Sequence, residues 1–209
     1  FRYEPVHYSI DIAHVSFTSP EPAIAVNELS GGISVRDDTL SLEHVTVRTN
    51  ETFIVAGGAI EHWLTTPSLQ VKVTSQQTSI PELAKILPAL GGMALKPAFD
   101  LSLNGPFSRL SVDAAVRSSS GDVAAKVLTN IEQASASGTI TARHVDVAGM
   151  TGRQADKSDI TADATIDLHA ASWSDLNSLT GSISVTTPRI AAAGYAADRV
   201  QLSAQIARR

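Results

Sequence analysis

Phe99-Asp-Leu-Ser-Leu-Asn-Gly-Pro-Phe-Ser-Arg-Leu-Ser-Val-Asp-Ala-Ala-Val116 is the stretch that decides the fold. Phe99, Leu101 and Leu103 alternate with Asp100 and Ser102; past the turn signal Asn104-Gly105-Pro106, Leu110, Val112, Ala114 and Val116 alternate with Ser111 and Asp113. A period of two marks a strand with one face buried and one wetted, and two such runs across a short turn read as a hairpin. The same alternation recurs at Ile33 and Val35, Leu40 and Leu42, Phe53 and Val55, Leu69, Val71 and Val73, Ile160 to Leu168, and Val200 to Ile206. A sheet so patterned has to hide its apolar face against a second sheet, a helix layer or a non-protein ligand.

The composition narrows that choice. With 43% hydrophobic and 18% charged residues the 209-residue chain is globular rather than disordered. Only 5% is aromatic, and Ala occupies inward positions such as 114, 162, 164 and 204. Small inward residues leave room where a sandwich core is filled to near-crystal density. A net charge of −5 without a Lys/Arg cluster leaves no footprint for nucleic acid. The absence of cysteine excludes disulfides, thiolate metal sites and a Cys nucleophile. No apolar run approaches the roughly 18 to 20 residues of a membrane helix, and no signal peptide is present. Starting at Phe1 and ending on Arg208-Arg209, the chain reads as a piece of something longer.

Residues 1–209 read as one continuous β module, because no linker separates two compositions. An opening segment (6–17) leads to a hairpin-rich stretch from Ala23 to Val73, and strands resume from Ala98 to Val147 and from Asp159 to Ile206. Ser79 to Leu90 is the clearest helix, with Ser79 and Glu82 at capping-box spacing and Pro81 in the first turn. A shorter helical turn is expected from Ser172 to Leu179. Three segments repeat one pattern: Ile10 to Phe17, Leu40 to Val47 and Ile140 to Val147 each carry apolar residues at positions one, three, six and eight and His (His14, His44, His144) at position five. The slip of parity in each predicts a β-bulge. Three His on separate strands, with no repeating carboxylate or Cys, do not predict a metal site.

No nucleophile elbow, dinucleotide loop, phosphate loop or zinc-protease motif occurs. Asp163 and Asp167 share a strand face, as a paired-carboxylate hydrolase would need, but Thr165 between them fits a solvated face better. Trp63 and Trp173 fall at strand and loop ends, where they read as rim packing. No catalytic residue, metal or cofactor is assigned, and the chain is not read as an enzyme.

The run from Gly31 to Gly58, with its hairpin, its Leu40-Ser-Leu42 strand and its closing Gly57-Gly58, resembles the repeating unit of AsmA-like and TamB-like proteins. Ile80-Pro-Glu-Leu-Ala-Lys-Ile-Leu-Pro-Ala-Leu90 followed by Phe99-Asp-Leu-Ser-Leu-Asn-Gly105 resembles the helix and returning strand of that unit, and Trp173 to Val185 is similar to the next one. The resemblance implies a Gram-negative cell-envelope protein in the periplasm, tethered to the inner membrane by a segment absent from this chain, that carries phospholipid between inner and outer membranes and meets proteins of both.

The fold expected is all-β: an elongated, curved, mainly antiparallel sheet forming an open groove, with an apolar concave face and one or two short helices. Its expected lipid-binding residues are Val35, Leu40, Leu42, Phe53, Val55, Leu69, Val71, Val73, Leu101, Leu103, Leu110, Val112, Ile166 and Leu168. Two alternatives stand beside the lipid conduit: a factor that assists outer-membrane protein assembly through its sheet edge, and a β-sandwich binding or adhesion module.

Overall fold

A computed structural model describes residues 7–86, 90–192 and 194–207. Twelve strands follow in chain order: β1 (His7–Pro20), β2 (Ala23–Arg36), β3 (Thr39–Thr49), β4 (Phe53–Glu61), β5 (Ser68–Gln77), β6 (Ala98–Pro106), β7 (Leu110–Ser118), β8 (Gly121–Asn130), β9 (Ser135–Val145), β10 (Ser158–His169), β11 (Thr180–Ala192) and β12 (Tyr195–Ile206). They form one sheet in which every strand pairs antiparallel with its sequence neighbours, so spatial order and chain order coincide. The hairpin read from Phe99 to Val116 is β6–β7, with Leu101 opposite Ala114 and Leu103 opposite Val112. Of the described residues 68% are in strands, and the sheet is open and uncurled, with β1 and β12 as its first and last strands.

The repeated His segments carry the expected bulges. Register slips between Ile12 and Val15 in β1, between Leu42 and Val45 in β3, and between Val145 and Ala142 opposite Ile160 and Ala162 in β10. His44 and His144 take left-handed backbone angles, φ 48° and 51°, one of the conformations by which a bulge takes up its extra residue and one that β-branched residues resist. The extra residue returns Val45 and Val145 to the face that Leu42 and Ala142 occupied. The bulges thus keep the apolar face continuous.

Two short α-helices sit at the same end of the sheet: α1 (Ile80–Leu83) between β5 and β6, and α2 (Val147–Thr151) between β9 and β10. The helix expected from Ser79 to Leu90 is therefore a single turn; Leu87, Pro88 and Ala89 lie outside the described residues. So short a helix draws stability only from packing, and Ile86 is exposed instead. The turn expected from Ser172 to Leu179 contains a 3-10 turn, Leu176–Ser178.

Few side chains are fully enclosed. The buried apolar residues are Val26, Leu95, Leu110, Ala134, Val145 and Ala148, at strand ends or beside the helices. No second sheet is present among the described residues, so no sandwich core forms.

Two glycines on the apolar face mark where backbones run closest. A Cβ at Gly138 would stand 2.1 Å from the Lys126 carbonyl oxygen, and one at Gly58, whose φ is +135°, 2.0 Å from that of Gln70. Gly138→Ala is expected to lower unfolding free energy by about 2 to 3 kcal/mol. Gly152→Ala, a left-handed helix cap with open space around it, is expected to cost about 1 kcal/mol. Urea midpoints measure both, and equal losses would refute the close approach at Gly138.

Candidate functional site

Cross-strand partners in an antiparallel ladder point to the same face, so register alone traces the surface across the sheet. Starting from Ile10, the partners run Ile33, Leu42, Gly58, Val71 and Leu103, and then Val112, Val127, Gly138, Ile166, Ile183 and Ala204. Twelve strands contribute one residue each, and none is polar. A flanking row runs Ala56, Val73, Leu101, Ala114, Ala125, Ile140, Ala164, Val185 and Leu202. On its other side lie Tyr8, Val35, Leu40, Ile60 and Leu69, with Leu110 and Leu168 at the same level beyond the β6–β7 turn.

Of the fourteen residues expected to line a groove, twelve stand on this face: Val35, Leu40, Leu42, Leu69, Val71, Val73, Leu101, Leu103, Leu110, Val112, Ile166 and Leu168. Phe53 and Val55 do not. Val55 pairs with Thr46 and Thr74, and Phe53 with Arg48, on the polar side, where the Arg48 guanidinium lies 4.5 Å from the Phe53 ring centre. Phe53, Ile54 and Val55 are consecutive apolar residues, so alternation cannot choose between the two parities. The ladder assigns the apolar face to Ile54, Ala56, Gly58 and Ile60. Sequence reading missed Val127 and Ile183 too: Ile183 alternates with Ser182 and Ser184, whereas Val127 is followed by the equally apolar Leu128, which blurs its parity.

Among the twelve, only Leu110 is buried, at 5% exposure; the others are half-buried. Adjacent strands shield their flanks while nothing from the described chain layers over the middle of the face. Exposed apolar surfaces larger than a few hundred Å² mark places where a protein meets another protein, a membrane or a ligand.

The other face is solvated and carries several cross-strand ion pairs. Arg48 pairs with Glu28 at 3.3 Å, Lys126 with Asp113 at 4.0 Å and Arg143 with Asp163 at 2.8 Å, and Arg117 pairs with Asp100. Exposed pairs of this kind contribute about 0 to 1 kcal/mol each, so they add little to stability. The hydrogen bond from Arg143 holds the Asp163 carboxyl below its ordinary range. Asp167 meets His169 at 3.3 Å, so Asp163 and Asp167, which share a strand face, each have a basic partner. No cluster of three or more metal-ligating side chains exists among the described residues.

The segment after β5 is strapped along the helical end of the sheet. Ser79, fully buried, caps α1 by accepting from the Glu82 amide. Glu82 does not reciprocate as a capping box would: its carboxylate accepts from Thr49 and, at 2.7 Å, from the Thr52 hydroxyl. The Ser79 hydroxyl donates to Glu51 at 2.7 Å, Lys96 pairs with Glu51 at 3.2 Å, and Lys85 reaches the Ala23 carbonyl at 2.9 Å. The Ala94 amide donates to the Met150 carbonyl in α2 at 3.0 Å. Buried side-chain polar atoms among the described residues all have partners.

At the opposite end the loops are chained by backbone bonds, Phe107 to Pro67 at 3.3 Å and Ile131 to Phe107 at 2.7 Å, and the Trp173 indole donates to the Ile131 carbonyl at 3.1 Å. The apolar face thus lies between two tied rims.

No family model, curated protein or solved structure matches the chain.

The Ser79 hydroxyl, and after it Lys96, holds the Glu51 carboxyl below the ordinary carboxylate value. A depressed folded value stabilises the protein fully above the unfolded value, and the contribution is lost as pH falls through the folded one. Wild type is therefore expected to melt above Glu51→Gln at neutral pH, with the two midpoints converging on acidification. A gap between the melting curves that stayed constant from pH 7 to pH 3 would rule out this role for Glu51.

Proposed function

We propose that the open apolar face binds the acyl chains of phospholipid and that the sheet is a conduit segment passing lipid between two membranes. The observation that carries this reading is the unbroken apolar row from Ile10 to Ala204 with no layer of the described chain over it. At about 4.8 Å per strand the row extends roughly 53 Å, far beyond one small-molecule site. Each CH₂ removed from water contributes on the order of 0.8 kcal/mol, so a chain of about 16 carbons gains up to about 13 kcal/mol without a polar recognition site. The small residues of the flanking row, Ala114, Ala125 and Ala164, leave width for such a chain. The resemblance of Gly31 to Gly58 to the AsmA-like and TamB-like unit favours a periplasmic setting between inner and outer membranes, with phospholipid as cargo rather than substrate of a reaction. Among the described residues no second sheet covers the apolar face, which favours this reading over a sandwich adhesion module.

Leu103→Asp and Val112→Asp test the reading, because they are direct partners in the middle of the row. On an open face the carboxylate stays hydrated, so each variant is expected to fold with a loss of roughly 1 to 2 kcal/mol of apolar burial. Native mass spectrometry of gently purified protein should find lipid on wild type and none on these variants. Ser102→Asp and Val55→Asp, on the polar side, should keep it. Asp variants that fold and still retain lipid would sink the proposal, as would lipid-free wild type.

A further inference from the structure

We infer that α1 is a gate over the helical end of the apolar face, latched by Glu82 and opened when lipid enters or leaves; for its cargo the gate rests on the lipid reading. Thr49 stands two residues beyond Val47 and Thr52 two before Ile54, and Val47 and Ile54 are direct partners on the apolar face. Both threonine hydroxyls donate to the Glu82 carboxylate, so α1 sits on the apolar side of β3 and β4. Lys85 extends the same path to the Ala23 carbonyl in β2. Val26, the partner of Thr49, is enclosed at this end of the face.

The root of this segment and α1 itself are held by different means. Thr78 and Ser79 are fully buried, and the Thr78 and Ile80 amides donate to the Pro97 and Leu95 carbonyls at 2.9 and 3.0 Å. Beyond that root the hold is polar. No residue of α1 is buried, and Ile86 is 56% exposed. A cover built to stay shut would turn such a side chain onto the apolar face, where burial would hold it. Segments with few buried apolar contacts open locally at lower free energy than the strands beside them, and lids are drawn from that class.

Release of Glu82 leaves the sheet and the root intact. The Thr49 amide still donates to the Thr52 carbonyl, and the Thr52 hydroxyl still accepts from the Ser79 amide at 3.0 Å. The two bonds to Glu82 are therefore a latch and not part of the ladder.

Hydrogen exchange on the whole chain tests the gate. The Leu83 and Ala84 amides, bonded to the Ser79 and Ile80 carbonyls, should exchange about a hundredfold or more faster than the ladder amides of β3 and β4. Glu82→Ala removes the latch without lowering helix propensity, and should raise exchange in α1 about tenfold while leaving Thr78, β3 and β4 unchanged. Glu82→Gln, which keeps an acceptor oxygen, should fall between the two. Lipid-stripped protein is then mixed with phosphatidylcholine vesicles carrying a self-quenching fluorescent phospholipid, and Glu82→Ala should take up label several-fold faster than wild type. Equal α1 exchange in wild type and Glu82→Ala, an equal rise in β3 and β4, or uptake at one rate in both proteins would each overturn the gate alone. No uptake by either protein would remove the lipid reading and the gate with it.

Discussion

Parity in the β-ladder is the constraint on which the rest of this structure depends. A one-residue slip in any of eleven strand pairings would send one side of the sheet's apolar residues into solvent and its serines and aspartates onto the apolar face. Over strands of 9 to 14 residues, twist makes such slips hard to avoid. The bulges at His44 and His144 absorb the mismatch locally: one residue enters the left-handed region, and the residues beyond it resume the face they left. Glycine works with them. A Cβ on Gly31 would lie 2.7 Å from the His44 carbonyl oxygen, and one on Gly121 2.6 Å from that of His144, so each bulge leans on a neighbour with no side chain.

A sheet with so few enclosed residues draws its stability from a different distribution of terms than a two-layer domain. Each strand packs almost wholly against the strands before and after it in sequence. Stability is then close to a sum of nearest-neighbour interfaces, as in repeat architectures. The tied rims serve as local fasteners. Thr78 and Ser79 are the most deeply buried side chains, and both belong to the strap rather than to a central core.

Legibility in the sequence followed how far alternation alone determines structure. The β6–β7 hairpin was readable because its polar and apolar positions are equally regular, and most of the apolar face followed from the same signal. The bulges were readable because the same slip recurs around three histidines. Phe53 and Val55 were not, since Ile54 between them is as apolar as they are and only pairing with Val47 and Ser75 reveals which parity faces inward. The helix after Ser79 was overextended because Glu82, which looks like a capping residue, is engaged by Thr49 and Thr52 some thirty residues away. Helix α2 was missed for the converse reason. Val147-Ala-Gly-Met-Thr151 has weak helical propensity and is held by Asp146, which accepts from the Ala148 amide, and by the Ser158 hydroxyl, which accepts from the Val147 amide at 2.8 Å.

The strict succession of strands also governs how the sheet answers a pull. Its two edges lie at opposite ends of the strand order, and the ladder bonds of antiparallel pairs run perpendicular to the strands. Tension applied from edge to edge therefore loads those bonds along their own axes, one row after another, instead of shearing many at once. Such a sheet yields like a zip. It gives way at low force, one strand at a time from whichever edge is held, and each released hairpin can close again without disturbing the rest.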